Sequence, residues 1–182
     1  MKKAFIFLAT GFEETEAVAT IDVILRGGID LTVISVTGDK VVEGAHGIRV
    51  LADSLFEETD FCGGDILVLP GGMPGASNLR KHKGLEMLIQ KYFSEKKKLA
   101  AICAAPLVFG EMGLLEGKKA TCYPGYEKHL KGASIKSDGT VIDENFITGK
   151  GPAFAIDFGL AIVGELQGKA IADEVSRGLL VG

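Results

Sequence analysis

Lys98-Leu99-Ala100-Ala101-Ile102-Cys103-Ala104-Ala105-Pro106 is the stretch from which the arrangement of the remaining residues can be read. Its apolar residues are few, unbroken and bounded by charge at Lys98, which is the signature of a strand buried on both faces. Pro106 has a fixed φ and no backbone N–H, so it suits the first turn of a helix continuing through Leu107, Val108, Phe109 and Met112. The Cys103 thiol therefore falls at a strand-to-helix elbow. There the free N–H groups and the positive end of the helix dipole would favour a thiolate, which makes Cys103 a candidate nucleophile. The competing reading is that Cys103 only fills space, as most buried free cysteines do.

Working outward from the elbow, the 25 glycines fall between periodic segments, as tight βα and αβ connections require. Residues 4 to 9 read as a buried strand. Residues 14 to 26 read as a helix with Val18, Ile21 and Leu25 sharing one face and Gly27-Gly28 as its stop. A second strand follows at 31 to 36, and the glycine-bearing residues 38 to 52, with alternating polarity, suit a small hairpin. Asp65 to Leu69 is another apolar strand, and Leu85, Leu88, Ile89, Tyr92 and Phe93 have helical spacing. Beyond the elbow helix come a strand near 119 to 123, a short helical or looped piece near 126 to 131, and a strand at 145 to 148. Gly151-Pro152 then opens a helix through Phe154, Phe158, Ile162 and Leu166, and Gly168 divides it from a last helix near 169 to 179. Alternating strands and helices predict an α/β fold with a mostly parallel sheet, helices on both faces and a small hairpin excursion.

With 182 residues, 47% of them hydrophobic, and no long apolar span, the chain reads as one soluble domain over 1–182 with no membrane segment. The apolar run at 4 to 8 meets Glu13-Glu14 almost at once, so it reads as the first strand rather than a signal peptide. Cys62, Cys103 and Cys122 lack metal or disulfide spacing, which points to a reducing cytoplasm and away from structural zinc. A formal charge of −4, with Lys96-Lys97-Lys98 as the basic cluster, argues against nucleic acid as a primary partner.

Ligands of open α/β sheets bind beyond the carboxyl ends of the strands. Three stretches are predicted to meet on that rim: Gly11 to Glu16, Pro70-Gly71-Gly72, and Cys103-Ala104. Glycines at 71 and 72 permit close backbone approach, and their N–H groups, with that of Ala104, suit an oxyanion hole. Glu13, Glu14 and Glu16 all sit at a helix start, where the dipole stabilises acids with no further role. One of them beside the thiol would move protons and titrate with it, but spacing alone leaves open which one. His46, His82 and His129 lie in unrelated surface contexts, and Asp22 with Arg26 forms an i,i+4 pair.

The segments Gly11-Phe12-Glu13-Glu14-Thr15-Glu16, Val68-Leu69-Pro70-Gly71-Gly72, Ala101-Ile102-Cys103-Ala104-Ala105-Pro106 and Gly151-Pro152 together resemble the ThiJ/PfpI superfamily. More narrowly they resemble its branch named for the human parkinsonism-associated deglycase, in the same order from about residue 3 to 181. The resemblance implies a flavodoxin-like three-layer α/β/α sandwich related to class I glutamine amidotransferases, and a homodimer built partly from the first helix near Asp22 and Arg26. It implies that Cys103 is the reactive cysteine, Glu16 its hydrogen-bonded carboxyl, and Gly72 and Ala104 the backbone donors. Tyr123, His46 and Arg26 fall at the substrate margin. Where many relatives carry a histidine, this chain has Tyr123-Pro124, and a phenol is a poor base at neutral pH. Ala104 stands where the protease branch has a histidine after its cysteine, which argues against peptidase activity.

The expected activity is that of a cysteine-dependent glyoxalase or deglycase acting on reactive dicarbonyls or their adducts, without cofactor or metal. The alternative is a non-enzymatic oxidative-stress sensor or chaperone-like protein that uses Cys103 oxidation.

Overall fold

The run Ala4–Leu8 is wholly buried because its strand, β1 (Lys3–Leu8), lies between parallel neighbours, β2 (Asp30–Ser35) and, in chain order the sixth strand, β6 (Ile66–Leu69). The computed structural model describes residues 1–181. Between β2 and β6 the chain forms a hairpin of β3 (Val41–Glu43) and β4 (Arg49–Leu51), then β5 (Ser54–Leu55). After β6 come β7 (Lys98–Ile102), a small parallel pair of β8 (Lys119–Ala120) and β9 (Ser134–Ile135), and an antiparallel pair of β10 (Thr140–Asp143) and β11 (Phe146–Gly149). The main sheet has seven strands in the order β10-β11-β7-β6-β1-β2-β5, parallel except for the β10 edge. Ile6, Val68, Ala100 and Ile147 stand in register across four strands, and each is fully buried. Burial on both faces is what all-apolar parallel strands require.

One helical layer comprises α1 (Glu14–Arg26), α5 (Ala155–Gln167) and α6 (Lys169–Gly178), numbered along the chain; the other comprises α2 (Gly75–Lys81), α3 (Lys83–Ser94) and α4 (Pro106–Glu111). This is the flavodoxin-like α/β/α sandwich, with a small antiparallel hairpin. No helix among the described residues is long and apolar enough to cross a membrane. The strand order reverses between β1 and β6, where loops leaving the carboxyl ends diverge and open a crevice.

Several local readings are corrected. Val18 and Leu25 are about half exposed, and α1 instead turns Ala17, Thr20, Val23 and Ile24 inward. The strand near 119 to 123 stops at Ala120, because Thr121 N–H donates to Thr148 Oγ1 at 3.0 Å and Tyr123 N–H donates to Cys103 O at 2.8 Å. Those bonds draw the chain toward the elbow. Phe154 belongs to a short 3-10 turn, so α5 begins at Ala155, and α2 and β10 are additions to the sequence reading.

Candidate active site

Cys103 directly follows β7 with φ at +64°, in the left-handed region that costs a side-chain-bearing residue about 1–2 kcal/mol. Its N–H still donates to Gly149 O at 2.8 Å, so the sheet holds the residue while the turn swings its side chain out of the strand plane. Pro106 starts α4 as expected, but that helix has only six residues.

Glu16 arrives from the other side of the crevice. Glu13 caps α1, its Oε2 accepting from Glu16 N–H at 2.6 Å, and this fixes the first turn so that the Glu16 side chain projects inward, fully buried. Gly71, just beyond β6, donates its N–H to Glu16 Oε2 at 2.9 Å. The carboxyl also faces the Cys103 thiol, and its Oε1 is buried with no hydrogen-bond partner among the described residues. A Cβ on Gly71 would stand 2.6 Å from Cys103 Cβ and 2.6 Å from Glu16 Oε2, so only glycine lets the three chains converge. Gly72, at φ +90°, lies equally close to the backbone of Phe12 and Glu13. Its N–H and that of Ala104 face the Cys103 sulfur and favour its charged form.

Burial raises the Glu16 pKa to about 7, the Glu13 charge adds to this, and the thiol and Gly71 hydrogen bonds act the other way. At Cys103, burial first and then the charge of Glu16 push the thiol up, against the downward pull of the Gly72 and Ala104 amides. The acidified thiol expected from the helix dipole is therefore corrected. A six-residue helix does not outweigh burial beside a carboxylate, and the pair is better described as two groups contending for one proton. Cys103 is 7% exposed, so the approach to it is narrow but open.

Three residues expected at the margin part company. Tyr123 reaches the site through its backbone, with its ring against Gly151 and half exposed. His46 is brought to the rim: its Nδ1 lies 2.7 Å from Glu14 Oε2 and its N–H donates to Glu14 Oε1 at 2.6 Å. Arg26 lies ten residues beyond Glu16, about 15 Å along the helix axis at 1.5 Å per residue, and pairs with Asp22 at 2.7 Å. A helix cannot place both its first turn and its last at one strand rim, so Arg26 is absent from this chain's site.

The Glu14 and His46 contact was not legible in the sequence, since 32 residues separate the partners. Burial opposes the Glu14 charge, but hydrogen bonds from the His46 side chain and backbone outweigh it and lower the pKa; the same contact raises that of His46. The raised histidine contributes stability below its unfolded value that is lost as pH rises through the folded one. The lowered glutamate contributes stability above its unfolded value that is lost on acidification. The hairpin should therefore be held best between about pH 4.5 and 6.5. Hydrogen exchange at the Ala45 and His46 amides is expected to quicken from pH 6 to 8 beyond its intrinsic rise, and His46→Gln to abolish the excess. Glu13, Glu14 and His46 also place three candidate ligand atoms within 4.8 Å, the set among the described residues that could meet at a cation.

Comparison with known proteins identifies the family. A model of the DJ-1/PfpI family matches residues 2–165. Protein dj-1beta of Drosophila melanogaster is 37% identical over 182 residues, covering 99% of this chain and 97% of that one. Protein DJ-1 homolog A of Arabidopsis thaliana is 43% identical over 183 residues, 99% of this chain, yet the match covers only 47% of that relative. Homolog B is 42% identical over 99% of this chain and likewise matched over 42% of its length, so this chain spans less than half of either plant protein. The structure of Toxoplasma gondii DJ-1 in an oxidized form superposes with a TM-score of 0.95 at 32% identity, over 99% of this chain and 98% of that one. On its sequence, its fold and the convergence at Cys103, the chain belongs to the DJ-1/PfpI family.

Proposed function

We propose that the protein is a cysteine-dependent enzyme acting on reactive dicarbonyls or their aldehyde-derived adducts, with Cys103 as nucleophile and Glu16 as proton shuttle. The observation that carries this is one buried carboxyl, with a pKa near 7, set against a thiol that the Gly72 and Ala104 backbone amides draw toward its charged form. A shared proton residing on Glu16 leaves a thiolate. That sulfur adds to the aldehyde carbon of a methylglyoxal-like substrate, the carbonyl π bond opens, and the oxyanion forms near Gly72 and Ala104 before taking the Glu16 proton. The Glu16 carboxylate then removes the hydrogen from the former aldehyde carbon as a proton and returns it to the neighbouring carbon, while the hydroxyl proton passes to the neighbouring oxygen. The resulting thioester is hydrolysed by water to a hydroxy acid and free Cys103. Oxidation of one carbon is balanced by reduction of its neighbour, so no external redox partner is needed.

The test is formation of lactate from methylglyoxal by the purified protein without glutathione. Stoichiometric lactate supports the reading, and consumption of methylglyoxal without lactate overturns it. A second reading, an oxidation sensor or chaperone-like protein built on a Cys103 sulfinate, draws support from the oxidized state of the Toxoplasma relative. The free thiols Cys62, Cys103 and Cys122 support a reducing, cytoplasmic setting. The exposed Val18 and Leu25 on the outward face of α1 support a homodimer.

A further inference from the structure

A groove of about 310 Å³ is lined by Met73, by α2, by Leu107 and Glu111 of α4, and by Tyr126 and His129. Its near end belongs to the reacting rim. Met73 directly follows the Gly72 donor, and Leu107 lies in the first turn after Pro106. Tyr126 stacks edge-on against Tyr123 at 6.4 Å, and Tyr123 holds the Cys103 carbonyl through its N–H.

The groove's wall is cationic. Ser77, Arg80 and Lys81 share one face of α2 by their spacing, and His129 faces them. Glu111 organises this wall: its Oε1 lies 2.9 Å from His129 Nδ1, and its Oε2 lies 3.4 Å from Arg80 Nε. Arg80 Nη1 donates to Glu86 Oε1 at 3.1 Å, which fixes the guanidinium plane. Two donors, Arg80 Nη2 and Lys81 Nζ, have no partner among the described residues. Glu86 and Glu111 answer the charges of Arg80 and of Lys83, 2.9 Å from Glu86, and Lys81 remains as an uncompensated cation. Cationic donors pre-positioned by a carboxylate are the arrangement that recognises an anion by charge-assisted hydrogen bonds.

We propose that this groove receives the tail of the substrate and that the tail carries a carboxylate, so that the protein selects anionic dicarbonyls over neutral ones. The inference rests on the assignment of Cys103 as the carbonyl-attacking group, and it adds the chemical class of what is attached to that carbonyl. Lys81 is the specificity-determining residue. Arg80, held by Glu111 and Glu86, orients the carboxylate, and His129 fixes Glu111.

The test compares γ,δ-dioxovalerate, a methylglyoxal extended by a carboxylate-bearing tail, with its methyl ester, as the ratio of kcat/KM within each variant. Wild type should favour the acid by about tenfold, mostly through KM, as one charge-assisted contact predicts. Lys81→Glu should bring the ratio to parity or below, and Lys81→Arg should keep it. Equal use of acid and ester by wild type, or a preference that survives Lys81→Glu, overturns the proposal. If wild type yields hydroxy acid from neither compound, the assignment of Cys103 fails first. The groove is then judged by calorimetric titration with glutarate, where roughly tenfold weaker binding to Lys81→Glu supports it and equal or absent binding overturns it.

Discussion

Glu16→Gln is expected to lower kcat/KM for methylglyoxal by about 10²–10⁴-fold, the span usual for a positioned acid or base, while making the protein more stable above neutral pH. Both effects come from the same burial. Glu16 is fully enclosed and its pKa is raised to about 7, so between the unfolded-chain value and about 7 the folded protein keeps a proton that the unfolded chain has released. Stability therefore falls as pH rises across that window, by an amount on the order of 3 kcal/mol once it is crossed. Glutamine is close to isosteric, still accepts from the Gly71 N–H and has no charge to bury, so it escapes this loss. The catalytic consequence has the opposite sign. In wild type the pair loses its first proton near pH 7 and retains the second well above it, so kcat/KM should rise through neutrality to a plateau. Glutamine can neither take the carbon-bound hydrogen nor supply one to the oxyanion, so the rise near pH 7 should vanish with the activity, leaving the variant close to the Cys103→Ser floor. Denaturant melts at pH 5 and pH 8, with product formation over the same range, measure both. A variant as active as wild type, or one with an unchanged pH profile, would remove Glu16 from the chemistry.

How much of this was legible in the residues follows from the range over which each feature is determined. The elbow was, because Lys98 to Pro106 contains a strand, a thiol and a helix-starting proline within nine positions. So was the alternation that forces a parallel sheet, since each apolar run is local and most stops are glycines or prolines. The face of α1 was not. Val18, Ile21 and Leu25 are as apolar as the residues that turn inward, and hydrophobicity alone does not say whether a stripe meets the core or is left open. The antiparallel β10 edge was missed because it pairs only with β11 on one side, and an edge strand needs no continuous apolar run.

The site divides along the same line. Gly71, Gly72, Cys103 and the presence of a carboxylate near the α1 start could be placed by local rules. The choice of Glu16 over Glu13 and Glu14 came from the resemblance, and the structure supplies its physical counterpart: the cap at Glu13 turns the third residue of the helix inward. The state of the thiol was misread for want of a magnitude. Dipole and burial act on it in opposite directions, and only the depth of the crevice decides between them.

Gly71→Ala should place a methyl directly against the reacting pair and cost most of the activity. The backbone at Gly71 is not in the left-handed region, so alanine brings no conformational strain of its own and the whole effect is steric. Its Cβ would fall 2.6 Å from Cys103 Cβ, 2.6 Å from Glu16 Oε2 and 2.8 Å from Ile102 O. The last of these is backbone within the β7 ladder and cannot yield without breaking sheet hydrogen bonds. Relief must come from β6 and β7 spreading, or from Glu16 leaving the Gly71 N–H, and either parts the carboxyl from the sulfur. Overpacking of this kind costs about 1–3 kcal/mol, which leaves most protein folded. Activity is far more sensitive, since a displacement near 1 Å between reacting groups can cost about 10²-fold. Gly178→Ala is the control: it lies at the end of α6 with no atom within 4 Å of the added Cβ, so its stability and turnover should match or slightly exceed those of wild type. Denaturant melts and hydroxy acid formation for the two variants then separate a crowded crevice from the mere presence of an extra methyl. Wild-type turnover in Gly71→Ala would mean that the close approach of the three chains at this glycine does not govern the reaction.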